Sequence, residues 1–269
     1  MYDLLIVCFS SIIRRVSNAD NQSQKTYVSH TRPKVPEETL ETWNTQLEYF
    51  RRRITEFSGR CSPETRTRIL TASSDSLSAG LCEGPVAMVV TSPPYIKAVD
   101  YVYNQMIELF WIGDLFAMQT QRLQNEHKKQ YIGTKQVTKK DYSQFDPEKS
   151  FIGIPAADAA LQEIHLTDPR NGAAHAYITY RYFSTMERHF YSLAPLLVPG
   201  TPYVMVVGDS RVSGIHVPTA EILTGIASRH GLRAVHRWGY RIKNRYMRFD
   251  RKGRGGIINT DWVIEMIKE

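Results

Sequence analysis

The sequence predicts an α/β fold around a mostly parallel sheet that ends in an antiparallel hairpin. Three observations predict it. Val86–Val90 and Tyr203–Val207 are continuous runs of strand-forming residues, the pattern of strands buried on both faces of a parallel sheet. Segments with helical spacing stand between such runs, as in α/β chains. Arg233–Ile242 and Trp262–Lys268, two longer strand-like stretches, then close the chain as a hairpin.

The elements follow in order. Leu4–Phe9 is very apolar and continues through Ile12-Ile13, so a helix is expected over 3–16; Lys25–Pro36, basic and with two prolines, reads as loop. Over 37–58, Leu40, Trp43, Leu47, Phe50, Ile54 and Phe57 repeat at alternating three and four spacing, one face of a helix. Glu37 and Glu38 suit its positive end, Gly59 its stop, and Arg51–Arg53 read as a solvated face. Thr67–Ala72 reads as a short strand, which puts Asp75 at a strand's carboxyl end, one strand before Val86–Val90. A helix with Tyr103, Ile107, Phe110, Trp111, Leu115 and Met118 on its core face is expected over 100–118. Residues 119–176 are polar and weakly periodic, which suits a variable insertion. Tyr182, Met186, Phe190, Leu193 and Leu197 mark a helix stopped by Pro199-Gly200, and Thr219–His230 another, capped by Gly231. Residues 1–65 thus read as an N-terminal helical segment ahead of an α/β domain over 66–269.

Composition narrows the class. The chain has 269 residues, 42% hydrophobic and 23% charged, as expected of a globular protein. A net charge of +7 favours a polyanionic partner. Cys8, Cys61 and Cys82 form no Cys-x-x-Cys pair, which argues against a zinc site or a disulfide framework and suits a reducing cytoplasm. Leu4–Phe9 is too short to span a bilayer and has its cations behind it, at Arg14-Arg15, so neither membrane insertion nor a signal peptide is expected.

The most informative stretch is where Val86–Thr91 meets Ser92-Pro93-Pro94-Tyr95. Neither proline has an N–H, so the ladder must stop there. In open α/β sheets ligands bind beyond the carboxyl ends of strands, where this turn would sit. Chance would bring such a quartet together in roughly one chain in a hundred of this size.

Thr91-Ser92-Pro93-Pro94-Tyr95 resembles the catalytic motif of the DNA amino-methyltransferases, which methylate N4 of cytosine or N6 of adenine. A first-position Ser is more typical of the N4-cytosine enzymes. Asp75 matches the acidic residue ahead of the catalytic strand in that family, and Leu197–Ser210, with Pro199-Gly200 and Val206-Val207-Gly208-Asp209, looks like its following element. The resemblance covers about residues 66–268. It implies a Rossmann-like methyltransferase sheet, S-adenosylmethionine as cofactor with Asp75 and Thr91 contacting it, and DNA as partner. It also implies that the basic stretch Lys243, Arg245, Arg248, Arg251, Lys252 and Arg254 tracks phosphates. One departure stands out. The family's Phe-x-Gly-x-Gly type loop, where backbone must approach the cofactor closely, is absent from these residues. The expectation is therefore a carboxyl-terminal portion lacking the first two strands, with the loop supplied by a preceding segment or a separate subunit.

The implied chemistry explains the residues. An exocyclic amine is a poor nucleophile because its lone pair is delocalised into the ring, so a site must orient it and accept its hydrogens. By resemblance, the Ser92 side chain and Pro93 carbonyl accept those hydrogens, Pro94 keeps the turn rigid, and Tyr95 stacks on a base flipped from the duplex. A sulfonium donor is activated enough to demand no strong base. Other planar amines invite similar turns, so an RNA or protein-glutamine methyltransferase is the enzymatic alternative. A nucleic-acid-binding remnant or a subunit of a split enzyme is the non-catalytic one.

Overall fold

The computed structural model describes residues 2–20, 26–31, 33–62, 64–97, 100–243 and 259–269. The chain divides into two units: residues 1–69 with 100–128, and residues 70–99 with 129–269.

The first unit is helical. Helix α1 (Tyr2–Ile13) buries Cys8, Ile12 and Ile13, and α2 (Thr39–Ser58) packs against it. The Glu38 carboxylate caps α2 by accepting the N–H groups of Leu40 and Glu41, which holds its carboxyl below the usual range. Arg51, Arg52 and Arg53 pair with Glu48 and Glu56 along the exposed face, as expected of a solvated stripe. The apolar stripe of α2 is less covered than its spacing suggests, for Leu40, Ile54 and Phe57 stand exposed. The helix expected over 100–118 is broken into α3 (Tyr101–Asn104), α4 (Met106–Ile112) and a 3-10 turn at Gly113–Phe116. Gln105, at φ −104° and ψ 17°, leaves helical geometry while the periodicity runs on across the break. The aromatic stripe is correspondingly not core: Phe110 and Trp111 are exposed. Helix α5 (Gln121–Gln130) follows.

The second unit holds a four-stranded sheet in the order β1-β2-β6-β5, built from β1 (Val89–Thr91), β2 (Pro202–Gly208), β5 (Leu232–Arg241) and β6 (Thr260–Lys268). Strand β1 runs parallel to β2, with Val89 opposite Tyr203, while β6 is antiparallel to both β2 and β5. The terminal hairpin is as expected, but the sheet is mixed: of its three ladders one is parallel, because β6 inserts between two codirectional strands. A smaller hairpin, β3 (Ser210–Val212) and β4 (Ile215–Val217), turns at Ser213-Gly214, both at positive φ.

Helices α6 (Lys139–Tyr142), α7 (Pro155–Thr167), α8 (Gly172–Leu193) and α9 (Thr219–Ser228) complete the unit. The stretch 119–176 therefore includes a core helix: Ala157, Ala160, Leu161 and Ile164 of α7 are buried against α8. The turn between the two is so tight that a Cβ on Gly172 would lie 2.3 Å from the His165 carbonyl oxygen. Phe190 of α8 meets Tyr203 of β2 with ring centres 5.7 Å apart, and α9 packs on β2, β5 and β6.

Two strand expectations need correction. Thr67–Ala72 is coil, with Ile69 91% exposed, since a strand exists only where a ladder partner satisfies its backbone and none among the described residues reaches this segment. Asp75 therefore sits in a turn and not at a strand's end. Val86–Val90 is a shorter strand than its run suggests; Val86 bridges Leu197 in isolation, and Met88 and Val90 are exposed.

Candidate active site

The turn Ser92–Tyr95 leaves β1 at its carboxyl end, beside the carboxyl end of β2 and the start of β6. Strand β2 stops at Gly208, and Asp209 there accepts the Ala220 N–H at 3.2 Å, capping the start of α9, and the Trp262 indole N–H at 3.2 Å. Within the turn Ser92 is exposed and Pro93 buried, while Pro94 and Tyr95 are half-buried. Among the described residues the Ser92 hydroxyl and the Pro93 carbonyl have no hydrogen-bond partner, which leaves both acceptors open. The Tyr95 hydroxyl donates to Asp261 Oδ1 at 2.6 Å, and Tyr240 reaches the same carboxylate from β5. Asp261 thus fixes the phenol at the edge of the sheet and holds the turn in place.

A cleft of about 330 Å³ adjoins the turn. One wall is the α8 face carrying Arg181, Thr185 and Arg188; the other includes Asp75 and Gly133. Gly133, at φ 78°, comes so close to the turn that a Cβ on it would lie 2.8 Å from the Tyr95 carbonyl oxygen. The Asp75 carboxylate is already engaged: Ser73 Oγ and the Arg188 guanidinium (3.0 Å) both donate to it and hold its carboxyl below the usual range. Thr91 is half-buried at the end of β1, opposite Met205, and does not line the cleft. Of the implied site residues, the structure thus gathers Ser92–Tyr95 at the sheet edge and Asp75 in the neighbouring cleft.

Lys243 is exposed just past β5. Arg245, Arg248, Arg251, Lys252 and Arg254 lie outside the described residues.

Sequence reading missed Asp261, which is within the last strand and matched no motif, and Gly133. It also missed a group next to the turn. Lys97, two residues after Tyr95, contacts His175 Nε2 with its ammonium, and His175 Nδ1 is 2.7 Å from Ser213 Oγ. Ser213 in turn donates to Asp168 Oδ2 at 3.4 Å. Burial pushes the Lys97 ammonium down to about 8 and lowers the His175 imidazole as well. The only sequence signal for any of these is the Ser213-Gly214 pair between Val212 and Ile215, a hairpin turn dipeptide. Among the described residues no group of His, Cys, Asp or Glu has metal-site geometry, and no helix is long and apolar enough to cross a membrane.

No family model and no curated protein matches the chain. Two solved structures do, both of a Thermus thermophilus protein named "Putative DNA Modification Methylase". The selenomethionine derivative is 22% identical over 33% of this chain and 38% of that one, with a TM-score of 0.26. The form complexed with S-adenosyl-L-methionine is 21% identical over 34% and 38%, with a TM-score of 0.27. The chain thus spans well under half of those proteins. At such scores the likeness supports no further argument, and the functional reading rests on the residues.

Proposed function

We propose that the chain is the catalytic part of an S-adenosylmethionine-dependent DNA methyltransferase of Rossmann-like fold, acting on an exocyclic base amine, N4 of cytosine ahead of N6 of adenine. The observation that supports this most is the turn. Ser92-Pro93-Pro94-Tyr95 resembles the family's motif and lies at a strand's carboxyl end, with Ser92 exposed and its hydroxyl without a partner among the described residues. Prolines at 93 and 94 leave that part of the turn carbonyls only, suited to an amine that offers hydrogens and needs none. Ser92 and the Pro93 carbonyl would take those hydrogens and turn the nitrogen lone pair outward. Tyr95, held by Asp261, would offer a ring of fixed orientation against the flipped base.

The cleft residues fit part of the cofactor. Its volume, about 330 Å³, is at the small end of ligand sites. Hydroxyls of Ser73 and Thr185 suit a ribose, Arg181 suits a carboxylate, and Asp75 would accept from the nucleoside amino group once it turns from Arg188. A Gly-rich cradle is not among these residues. Bound there, S-adenosylmethionine would supply a methyl group activated on a sulfonium.

Tritium transfer from S-adenosylmethionine to DNA, RNA and protein tests the reading. Transfer to DNA, lost in Ser92→Ala without loss of the fold, is the expected result. Label on RNA or on protein glutamine would replace DNA as the substrate, and Ser92→Ala at full activity would remove the turn from the reaction.

A further inference from the structure

Lys97, His175, Ser213 and Asp168 come from four separate places: the end of the turn, α8, the β3–β4 hairpin and the end of α7. They form a single file of hydrogen bonds, and its polarity can be read. As an ammonium Lys97 only donates, so His175 Nε2 is the acceptor and the ring carries its proton on Nδ1; as a neutral amine Lys97 keeps this polarity by donating one N–H to the same nitrogen while its lone pair stays free. That Nδ1–H then donates to Ser213 Oγ, which leaves the Ser213 O–H to donate to Asp168. Every bond therefore runs from the half-buried Lys97 towards Asp168, whose side chain is 26% exposed and whose carboxylate is fixed by the N–H groups of Arg170 and Asn171.

Backbone strain marks the same group. Among the described residues three non-glycines have positive φ, and two of them are Lys97 (57°) and Ser213 (52°). Left-handed backbone at such residues is unfavourable and persists where the surroundings enforce it, often at functional sites. The Lys97 N–H is anchored on the carbonyl of Gly133, the residue packed against Tyr95.

We propose that these four side chains are a proton relay serving the turn, with Lys97 as the acceptor of the proton that the methylated amine sheds. The inference rests on the methyl-transfer reading. On transfer the acceptor nitrogen forms its N–C bond, becomes cationic and loses one proton. Lys97 enters as the neutral amine and leaves as ammonium. It gives a proton to His175 Nε2 as His175 gives the Nδ1 proton to Ser213 and Ser213 gives its own to Asp168, from which water takes it. The imidazole regains its first tautomer by exchange with solvent. An acceptor of this kind needs a neutral amine near neutral pH. Burial moves Lys97 in that direction, down to about 8, with Asp168 opposing and Lys135 lowering the ammonium further, so the neutral fraction grows as pH rises towards that value.

Ser213→Gly is the discriminating variant, because glycine accepts positive φ without strain and so removes the hydroxyl without harm to the turn. In the full chain, competitive acetylation from pH 6 to 11, read at Lys97 by mass spectrometry, should give a midpoint near 8. That midpoint should move by at least ~0.5 pH unit in Ser213→Gly and in His175→Gln. Methyl transfer to duplex DNA should rise with pH to the same midpoint and fall about tenfold or more in Ser213→Gly and Lys97→Met. An ordinary lysine titration, or one unmoved by both variants, overturns the relay whether or not the chain methylates. Coupled titration with wild-type rate and pH profile in Ser213→Gly overturns its role in the reaction. No transfer by the wild-type chain when a segment carrying the Gly-rich cofactor loop is supplied, with coupled titration intact, overturns the methyltransferase reading and with it the reaction assigned to the relay.

Discussion

The two faces of the sheet carry similar side chains and differ in what lies over them. On one face Tyr203, Met205, Ile264 and Met266 are wholly buried, with Phe190 and His189 of α8 against Tyr203 and α9 across β2, β5 and β6. On the other, Val90, Trp238 and Tyr240 are exposed, and Val204, Val206 and Val263 only half-buried. Both sets have strand-forming residues at alternate positions. Apolar character therefore says which side chains could be buried, and the helices decide which ones are. The covered face is where stability should reside; the turn, the Asp261 contact and the relay lie at the sheet's edge and beyond.

The largest effect should come from the covered face. Phe190→Ala removes a fully buried ring from the contact between α8 and β2 and should cost about 3–5 kcal/mol in urea unfolding. A cost under about 1 kcal/mol would mean that this face is not packed as described.

Acid should weaken the same face to a smaller degree. The His189 Nδ1–H donates to Ser74 O (2.8 Å), so Nε2 of the neutral ring accepts from the Tyr203 hydroxyl (2.9 Å), and burial holds its imidazole below the usual range. The unfolded chain then binds a proton more readily than the folded one. The contribution of the neutral ring is complete above the unfolded value of about 6.5 and is lost as pH falls from there towards the folded value. Urea midpoints should drop between pH 7.5 and 5.5, and His189→Gln should flatten the decline; an unchanged decline in that variant would shift the cause elsewhere, His175 first. Smallest of all, Val90→Thr on the bare face should change stability by no more than about 0.5 kcal/mol. A large loss there would show that this face is covered in solution.

The same contrast explains how much was legible in the sequence. Strand β2, helix α9 and the β5–β6 hairpin were readable because each is long, strongly patterned and ends in a stop such as Gly208-Asp209 or Gly231. Val86–Val90 was readable as a strand parallel to β2 but not as an exposed one, because a run of valines is silent about its cover. Thr67–Ala72 misled for the same reason: β propensity is realised only against a partner strand. At the site, Ser92–Tyr95 was legible because its four residues are consecutive. Lys97, His175, Ser213 and Asp168 were not, since 78 positions separate Lys97 from His175 and 38 separate His175 from Ser213, and only the α7–α8 turn and the β3–β4 hairpin bring them together.

The central claim is that Ser92 and its turn present an amine for methylation, and single-turnover transfer of tritiated methyl from S-adenosylmethionine to duplex DNA, wild type beside Ser92→Ala, tests it most directly. With a segment carrying the Gly-rich cofactor loop supplied, the account predicts label on an exocyclic base amine from the wild-type chain and a loss of about 100-fold or more in the variant, with unchanged unfolding midpoint. Equal labelling by the two proteins would contradict it.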